Sequence, residues 1–329
     1  MTFASHRLLP VLALAFAAVA SPTAHAGPFS SLVVFGDSLS DDGNNYAAGL
    51  YNPAQVVTGN TYVPSFTYAS HTYSNGAVWA DDFAAMIGVP LTASLTGGTD
   101  FAFGGATTGG PTTFPYSLTV QAGQYLTATS NIASPTALYV IAGGGNDARG
   151  ALAAIGAGAD VNATVMSTAA SFTANVGAIV DELQAAGAHH IIVWDTPNLG
   201  LAPAVVASGA AGLGSFLAQS MNAALATRLV GEAGVSTFDI FGLGTAIALH
   251  PSAYGFTDVT DACGANAAAN CSQYAYWDGI HPTAATHRVI ADAFAVVAVP
   301  EPEVWALFAF GIAAIGWTSR RRAKASRAA

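Results

Sequence analysis

Short apolar runs recur along this chain at a cadence that admits few folds. Residues 31–36, 99–103, 137–142 and 189–194, with a less apolar run at 235–239, read as strands too short to cross a membrane and too continuous to have a wet face. Between them, residues 76–87, 162–186, 209–233 and 283–297 carry Ala-rich helical patterns, with Asn162 placed to cap one helix and Gly187 to stop it. Strands buried on both faces and joined through helices run parallel, because hairpins would instead leave them antiparallel. The pattern predicts an α/β domain whose parallel sheet carries helices on both faces. Residues 44–73 are rich in Tyr, Asn, Pro and Thr without a period, and read as a long loop lying over the site. No repeat with a period of 20 to 50 residues interrupts the plan.

Both ends of the chain stand apart from this domain. Residues 1–26 read as a secretory signal: His6 and Arg7 open it, residues 8–20 are apolar, and Ala24-His25-Ala26 offers a small-x-small cleavage site. At the other end Pro300-Glu301-Pro302 precedes an apolar stretch at 304–318, followed by Arg320, Arg321, Arg322, Lys324 and Arg327. Such a stretch is a marginal transmembrane helix, and the cations after it resist export. This order resembles the PEP-CTERM sorting signal of Gram-negative envelope proteins; an ordinary tail anchor is the other reading. The resemblance implies an exosortase-type processing enzyme as partner, membrane attachment through the C-terminal helix before processing, and a location in the cell envelope or extracellular matrix. The expected organisation is a signal peptide at 1–26, one domain at 27–299 and the sorting signal at 300–329.

Residues 27–299 contain 17 acidic residues against three cations, Arg149, Arg228 and Arg288, a net charge of −14 with no lysine. Such a surface repels phosphate backbones, which excludes nucleic acid as a partner. Cys263 and Cys271 are the only cysteines, and in an exported protein they are expected to form a local disulfide shortly before Asp278.

The chemistry-bearing residues gather at the predicted strand ends. Phe35-Gly36-Asp37-Ser38 places a serine just after the first strand, where reacting groups of open α/β sheets collect. Asp278-Gly279-Ile280-His281-Pro282 supplies a histidine to take the serine proton and a carboxylate to orient the ring, and Pro282-Thr283 opens the last helix. Phe103-Gly104-Gly105-Ala106 and Gly143-Gly144-Gly145-Asn146-Asp147 each follow a strand and offer donors for a developing oxyanion. A phosphate cradle is the competing reading of the glycines, but neither segment has the G-x-x-x-x-G-K pattern. Taken singly, Ser38 is also an ordinary helix-capping residue and Asn146 ordinary turn chemistry.

Taken together, Gly36-Asp37-Ser38, Phe103-Gly104-Gly105-Ala106, Gly144-Gly145-Asn146-Asp147 and Trp277-Asp278-Gly279-Ile280-His281-Pro282 resemble, in order, the four blocks of the GDSL, or SGNH, hydrolases. Tyr73-Ser74-Asn75-Gly76-Ala77-Val78-Trp79 also resembles a segment of the lipase-like members. The resemblance implies a flavodoxin-like three-layer sandwich with a five-stranded parallel sheet. It implies a catalytic triad of Ser38, Asp278 and His281, and an oxyanion hole formed by the Ser38 N–H, one block-two glycine N–H and the Asn146 side chain. Gly105 is preferred over Gly104 because it directly precedes Ala106-Thr107, although the doublet leaves the register open.

The expected activity is that of an exported serine esterase or lipase, cleaving a small-molecule or lipid ester through an acyl-serine and calling for no metal or organic cofactor. A carbohydrate O-acetyl esterase would use the same residues. Two alternatives lie outside that mechanism: a surface binding protein that has lost catalysis, and a phosphoesterase using Asp37, Asp41, Asp42, Asp278 and His281 as metal ligands.

Overall fold

The computed structural model describes residues 28–62, 64–110 and 112–299. The expected signal peptide at 1–26 and sorting signal at 300–329 lie outside the described residues. In chain order the elements are β1 (Leu32–Gly36), α1 (Asn44–Ala47), α2 (Trp79–Ile87), α3 (Leu118–Ala128), β2 (Leu138–Ala142), α4 (Gly145–Gly156), α5 (Val161–Ala185), β3 (His190–Trp194), α6 (Pro203–Ala207), α7 (Ala211–Arg228), β4 (Val235–Phe238), α8 (Ile240–Leu249), β5 (Asp258–Ala262), β6 (Tyr274–Tyr276) and α9 (Ala284–Ala298).

The strands β1 to β4 form one parallel sheet in that order, with Gly36 opposite Ala142 and Ile141 opposite Val193. Every residue of β1 and β2 is buried, as expected of strands covered on both faces. Alternation sorts them between two cores. Val33, Phe35, Tyr139, Ile141, Ile191 and Val193 pack with α3, α4, α5 and α7 on one side. Leu32, Val34, Leu138, Val140, Ile192 and Trp194 pack with α2 and α9 on the other. The result is a three-layer α/β sandwich.

The expected fifth strand at 99–103 lies where it should, beside the free edge of β1, but as a single bridge between Val34 and Asp100. The Phe101 N–H donates to the Val34 carbonyl at 2.8 Å and the Phe103 N–H to Gly36 at 3.2 Å. The Asp100 carboxylate accepts the N–H groups of Ala102 (2.8 Å) and Asp42 (2.9 Å), and the ladder stops because the Gly36 N–H, which would pair with the Phe101 carbonyl, donates to Gln121 Oε1 at 2.8 Å instead. Counting this segment, the spatial order is the doubly wound one in which the chain reverses direction beside β1, where ligands of such sheets bind. A separate parallel pair, β5 and β6, extends the rim.

Candidate active site

Parallel register brings the sequence blocks to one edge. Because Gly36 and Ala142 are neighbours, the turn after β1 and the start of α4 emerge side by side, and the 99–103 segment delivers Gly104 and Gly105 on the other flank of β1. Ser38 sits in the turn after β1, tightened by the Ser40 and Asp41 N–H groups donating to the Asp37 carbonyl at 3.0 Å each. Asp278 and His281 arrive from the turn between β6 and α9, with Thr283 capping α9 through its hydroxyl.

Ser38 Oγ lies 2.9 Å from His281 Nε2, and His281 Nδ1 lies 2.8 Å from Asp278 Oδ2. Asp278 is fully buried and His281 nearly so. The carboxylate plane is fixed from both sides: Oδ1 accepts the Ile280 and His281 N–H groups at 2.8 Å each, and Oδ2 also accepts the Tyr68 hydroxyl at 2.7 Å. Burial alone would raise the Asp278 pKa, but the His281 ring and N–H, joined by the Tyr68 hydroxyl, outweigh it and hold the carboxyl below its usual range. An ionised carboxylate can only accept, so Nδ1 carries the ring proton and Nε2 presents a lone pair to the Ser38 hydroxyl. The rings of Tyr73 and Tyr62 flank the imidazole, with centroids 5.5 and 5.9 Å away.

The glycine doublet resolves into two roles. The Gly104 N–H is taken by Asp41 Oδ2 at 2.8 Å, whereas among the described residues the Gly105 N–H meets no acceptor. Asn45 Nδ2 donates to the Gly104 carbonyl at 3.0 Å, and in a trans peptide this turns the Gly105 N–H the opposite way. Gly105 has φ +86°, and a Cβ on Gly104 would lie 2.1 Å from the Tyr73 ring, so neither position admits a side chain without strain or collision. Asn146 stands in the first turn of α4, where the positive end of the helix faces the site. Burial pushes Asp41, which organises this corner, up to about 6 against the pull of several backbone N–H groups.

Asp278 is turned toward His281, and Asp41 toward backbone N–H groups, and among the described residues no three carboxylates, histidines or cysteines converge as the metal-ligand alternative requires. Ser38, Asn146 and His281 instead open into a cleft lined mainly by apolar side chains including Leu199, Leu243, Ile247, Val259 and Ile290. Cys263 and Cys271 form a disulfide with Cα atoms 5.5 Å apart. The loop at 44–73 covers the triad as expected, and the Gly279 N–H donates to the Thr61 carbonyl at 3.0 Å.

Tyr68, Asn45, Asp41 and Arg149 complete the site; the sequence marks Asp41 only as a ligand in the metal alternative and Tyr68 only as one tyrosine of the 44–73 loop, and it singles out neither Asn45 nor Arg149 for the site. Arg149 carried a detectable signal, being one of three cations in the domain and three residues beyond Asn146. Nothing local marks Asn45, or assigns Tyr68 and Asp41 the roles they take.

A family profile described as GDSL-like Lipase/Acylhydrolase matches residues 32–294, most of the chain. The chain belongs to the GDSL-like lipase/acylhydrolase family. Among curated relatives, this family member is 33% identical over 196 residues to Lipase 1 of Photorhabdus luminescens, covering 60% of this chain and 26% of that protein. It is 33% identical over 115 residues to Acetylajmalan esterase 2 of Rauvolfia serpentina, covering 32% of each. A third relative, an uncharacterized Pseudomonas putida protein, is 27% identical, with 89% of this chain and 53% of that protein covered. The chain thus spans from about a quarter to about half of the length of these relatives. A solved carbohydrate acetylesterase from Sinorhizobium meliloti aligns with TM-score 0.43 and 14% identity, covering 81% of this chain and 99% of that one.

Proposed function

We propose that the protein hydrolyses carboxylic esters of apolar acyl groups through an acyl-serine. The observation that carries this reading is the chain of contacts from Ser38 Oγ to His281 to Asp278, at 2.9 and 2.8 Å, opening into an apolar cleft. The Ser38 oxygen attacks the acyl carbonyl as its proton passes to His281 Nε2. The tetrahedral oxyanion is met by the N–H groups of Ser38 and Gly105 and by Asn146 Nδ2. His281 then protonates the departing alcohol as the C–O bond breaks; water, deprotonated by the same ring, releases the acid and restores Ser38. The apolar lining favours an acyl chain over an acetyl group, which would touch little of it.

The same reading places the protein outside the cytoplasm. Its support is the leader pattern at 1–26, the Pro-Glu-Pro, apolar and basic order at 300–329, and the Cys263–Cys271 disulfide, which persists in oxidising compartments. Residues 27–299 would be the catalytic domain and an exosortase-type enzyme the partner at the tail.

A serine-directed phosphonate tests the chemistry: covalent labelling at Ser38, lost in Ser38→Ala, is expected, and an unlabelled protein would mean a binding scaffold. The substrate class is tested with p-nitrophenyl esters of increasing chain length beside an acetylated polysaccharide. Each methylene seated in the cleft contributes up to about 0.8 kcal/mol, so kcat/KM should climb by up to about fourfold per carbon until the cleft is full. A maximum at acetate, with the polysaccharide preferred, would instead identify a carbohydrate O-acetyl esterase.

A further inference from the structure

The Asn146 carboxamide ends in an oxygen and a nitrogen of nearly equal size, and only the nitrogen donates. Its orientation therefore decides whether the site offers an acyl oxygen a hydrogen or a lone pair. Two neighbours set it. The Ala106 carbonyl, which only accepts, takes a hydrogen from Nδ2 at 2.8 Å. The Arg149 guanidinium, which only donates, gives one to Oδ1 at 2.8 Å. Reversing the amide would set oxygen against oxygen at Ala106 and N–H against N–H at Arg149. The second Nδ2 hydrogen has no partner among the described residues, and Asn146 lines the cleft beside Ser38.

Arg149 is placed for this task and for no ion pair. Of the three cations among the described residues, Arg228 is paired with Asp181 and Glu232, and Arg288 with Asp82 at 3.0 Å. Arg149 has no carboxylate partner there. Its guanidinium carbon lies 3.5 Å from the centroid of the Tyr62 ring, which holds the planar group in place, and the helical spacing of three residues brings it over Asn146. A flexible cation without that stacking face would hold the amide less firmly.

We propose that Arg149 is a positioning residue that locks the Asn146 carboxamide with Nδ2 toward the acyl oxygen. The proposal rests on the ester-hydrolase reading, in which Asn146 donates to the oxyanion.

Its test is a cycle of Asn146→Ala, Arg149→Met and the double variant, with Arg149→Lys as the conservative change. Each is assayed on a short-chain p-nitrophenyl ester at a temperature where its melting curve shows it folded. Methionine keeps an aliphatic stem and removes every donor. Asn146→Ala should lower kcat by roughly 10² to 10³. Arg149→Met should lower kcat by at least about tenfold, the scale of one charge-assisted hydrogen bond, with KM nearly unchanged. Arg149→Lys, which keeps a donor but not the planar stacking group, should recover part of that loss, and the double variant should be no slower than Asn146→Ala alone. Full kcat in Arg149→Met, or losses that multiply in the double variant, would overturn the proposal, because Arg149 would then act independently of the amide. Full kcat in Asn146→Ala would overturn it differently, by removing the donor itself, while phosphonate labelling of Ser38 would leave the ester-hydrolase reading standing.

Discussion

Asp278 shows how a buried carboxylate is kept ionised. Each of its oxygens accepts two hydrogen bonds, and only one of the four comes from a side chain other than His281, the Tyr68 hydroxyl. In Tyr68→Phe the two backbone donors still fix the carboxylate plane, so His281 keeps its orientation and kcat should change little. Stability should fall by about 1.5–3 kcal/mol, the usual worth of a hydrogen bond to a charged group. Because Asp278 is held below its ordinary pKa, its stabilisation is present above that ordinary value and is lost as pH falls through the folded one. Losing the hydroxyl raises the folded value, so acid unfolding of the variant should begin at higher pH. Denaturant titrations at neutral and acidic pH, with steady-state rates beside them, check this; a large loss of kcat at unchanged stability would contradict it. Ser38, Asp278, His281 and Asn146 were legible because their chemical types stand at strand ends in the order the reaction needs. Tyr68 was not, because it meets Asp278 across 210 residues of sequence from a loop without periodicity.

At the level of elements, the sheet was readable and several helices were not. Continuous apolar runs give strands away, whereas α4 begins in Gly143-Gly144-Gly145, which reads as a turn, and α8 contains two glycines within ten residues. The expected helix at 209–233 is α7, which is shorter at both ends: Gly209 at φ +75° separates it from α6, and it stops at Arg228 shortly before Gly231 at φ +83°. The helix expected from 162 begins at Val161, since Asp160 is the cap and accepts the Ala163 N–H at 2.8 Å, not Asn162. One glycine of α8 also bears on specificity. Gly244 lines the cleft, and a Cβ added there meets nothing within 4 Å. In Gly244→Leu the helix should gain up to about 1 kcal/mol from the better helix former while the new side chain occupies space meant for substrate. The expected result is an ester preference shifted to shorter chains, acetate hydrolysis retained and an unchanged or higher Tm. A preference that stayed with the longest esters would show that acyl chains lie elsewhere.

For the whole molecule, the balance of buried acids sets how stability follows pH. Burial raises Asp37 and Asp41 to about 6; it raises Asp195 to about 7 with help from Asp239, and Asp42 to about 8 with help from Asp81. An unfolded aspartate releases its proton near 3.9, so between that value and the folded one the native state holds the extra proton. Stability then falls as pH rises through this window and recovers on acidification. His287, buried in α9 and lowered to about 3, works the other way: the unfolded chain takes up its proton near 6.5, and stability is lost as pH falls below that. At pH 8 the imidazole is neutral in both states, and near pH 6.5 it is about half protonated in the unfolded chain, which offsets only part of the gain from the carboxylates. Protonation in this range also relieves the self-repulsion of a domain with net charge −14. Tm should therefore be higher at pH 6.5 than at pH 8, and Asp42→Asn, which removes the group titrating nearest 8, should flatten the upper part of that slope. Calorimetry across the range reads both; a Tm that falls from pH 8 to 6.5 would mean that these carboxylates are ionised in the fold and held by their backbone donors instead.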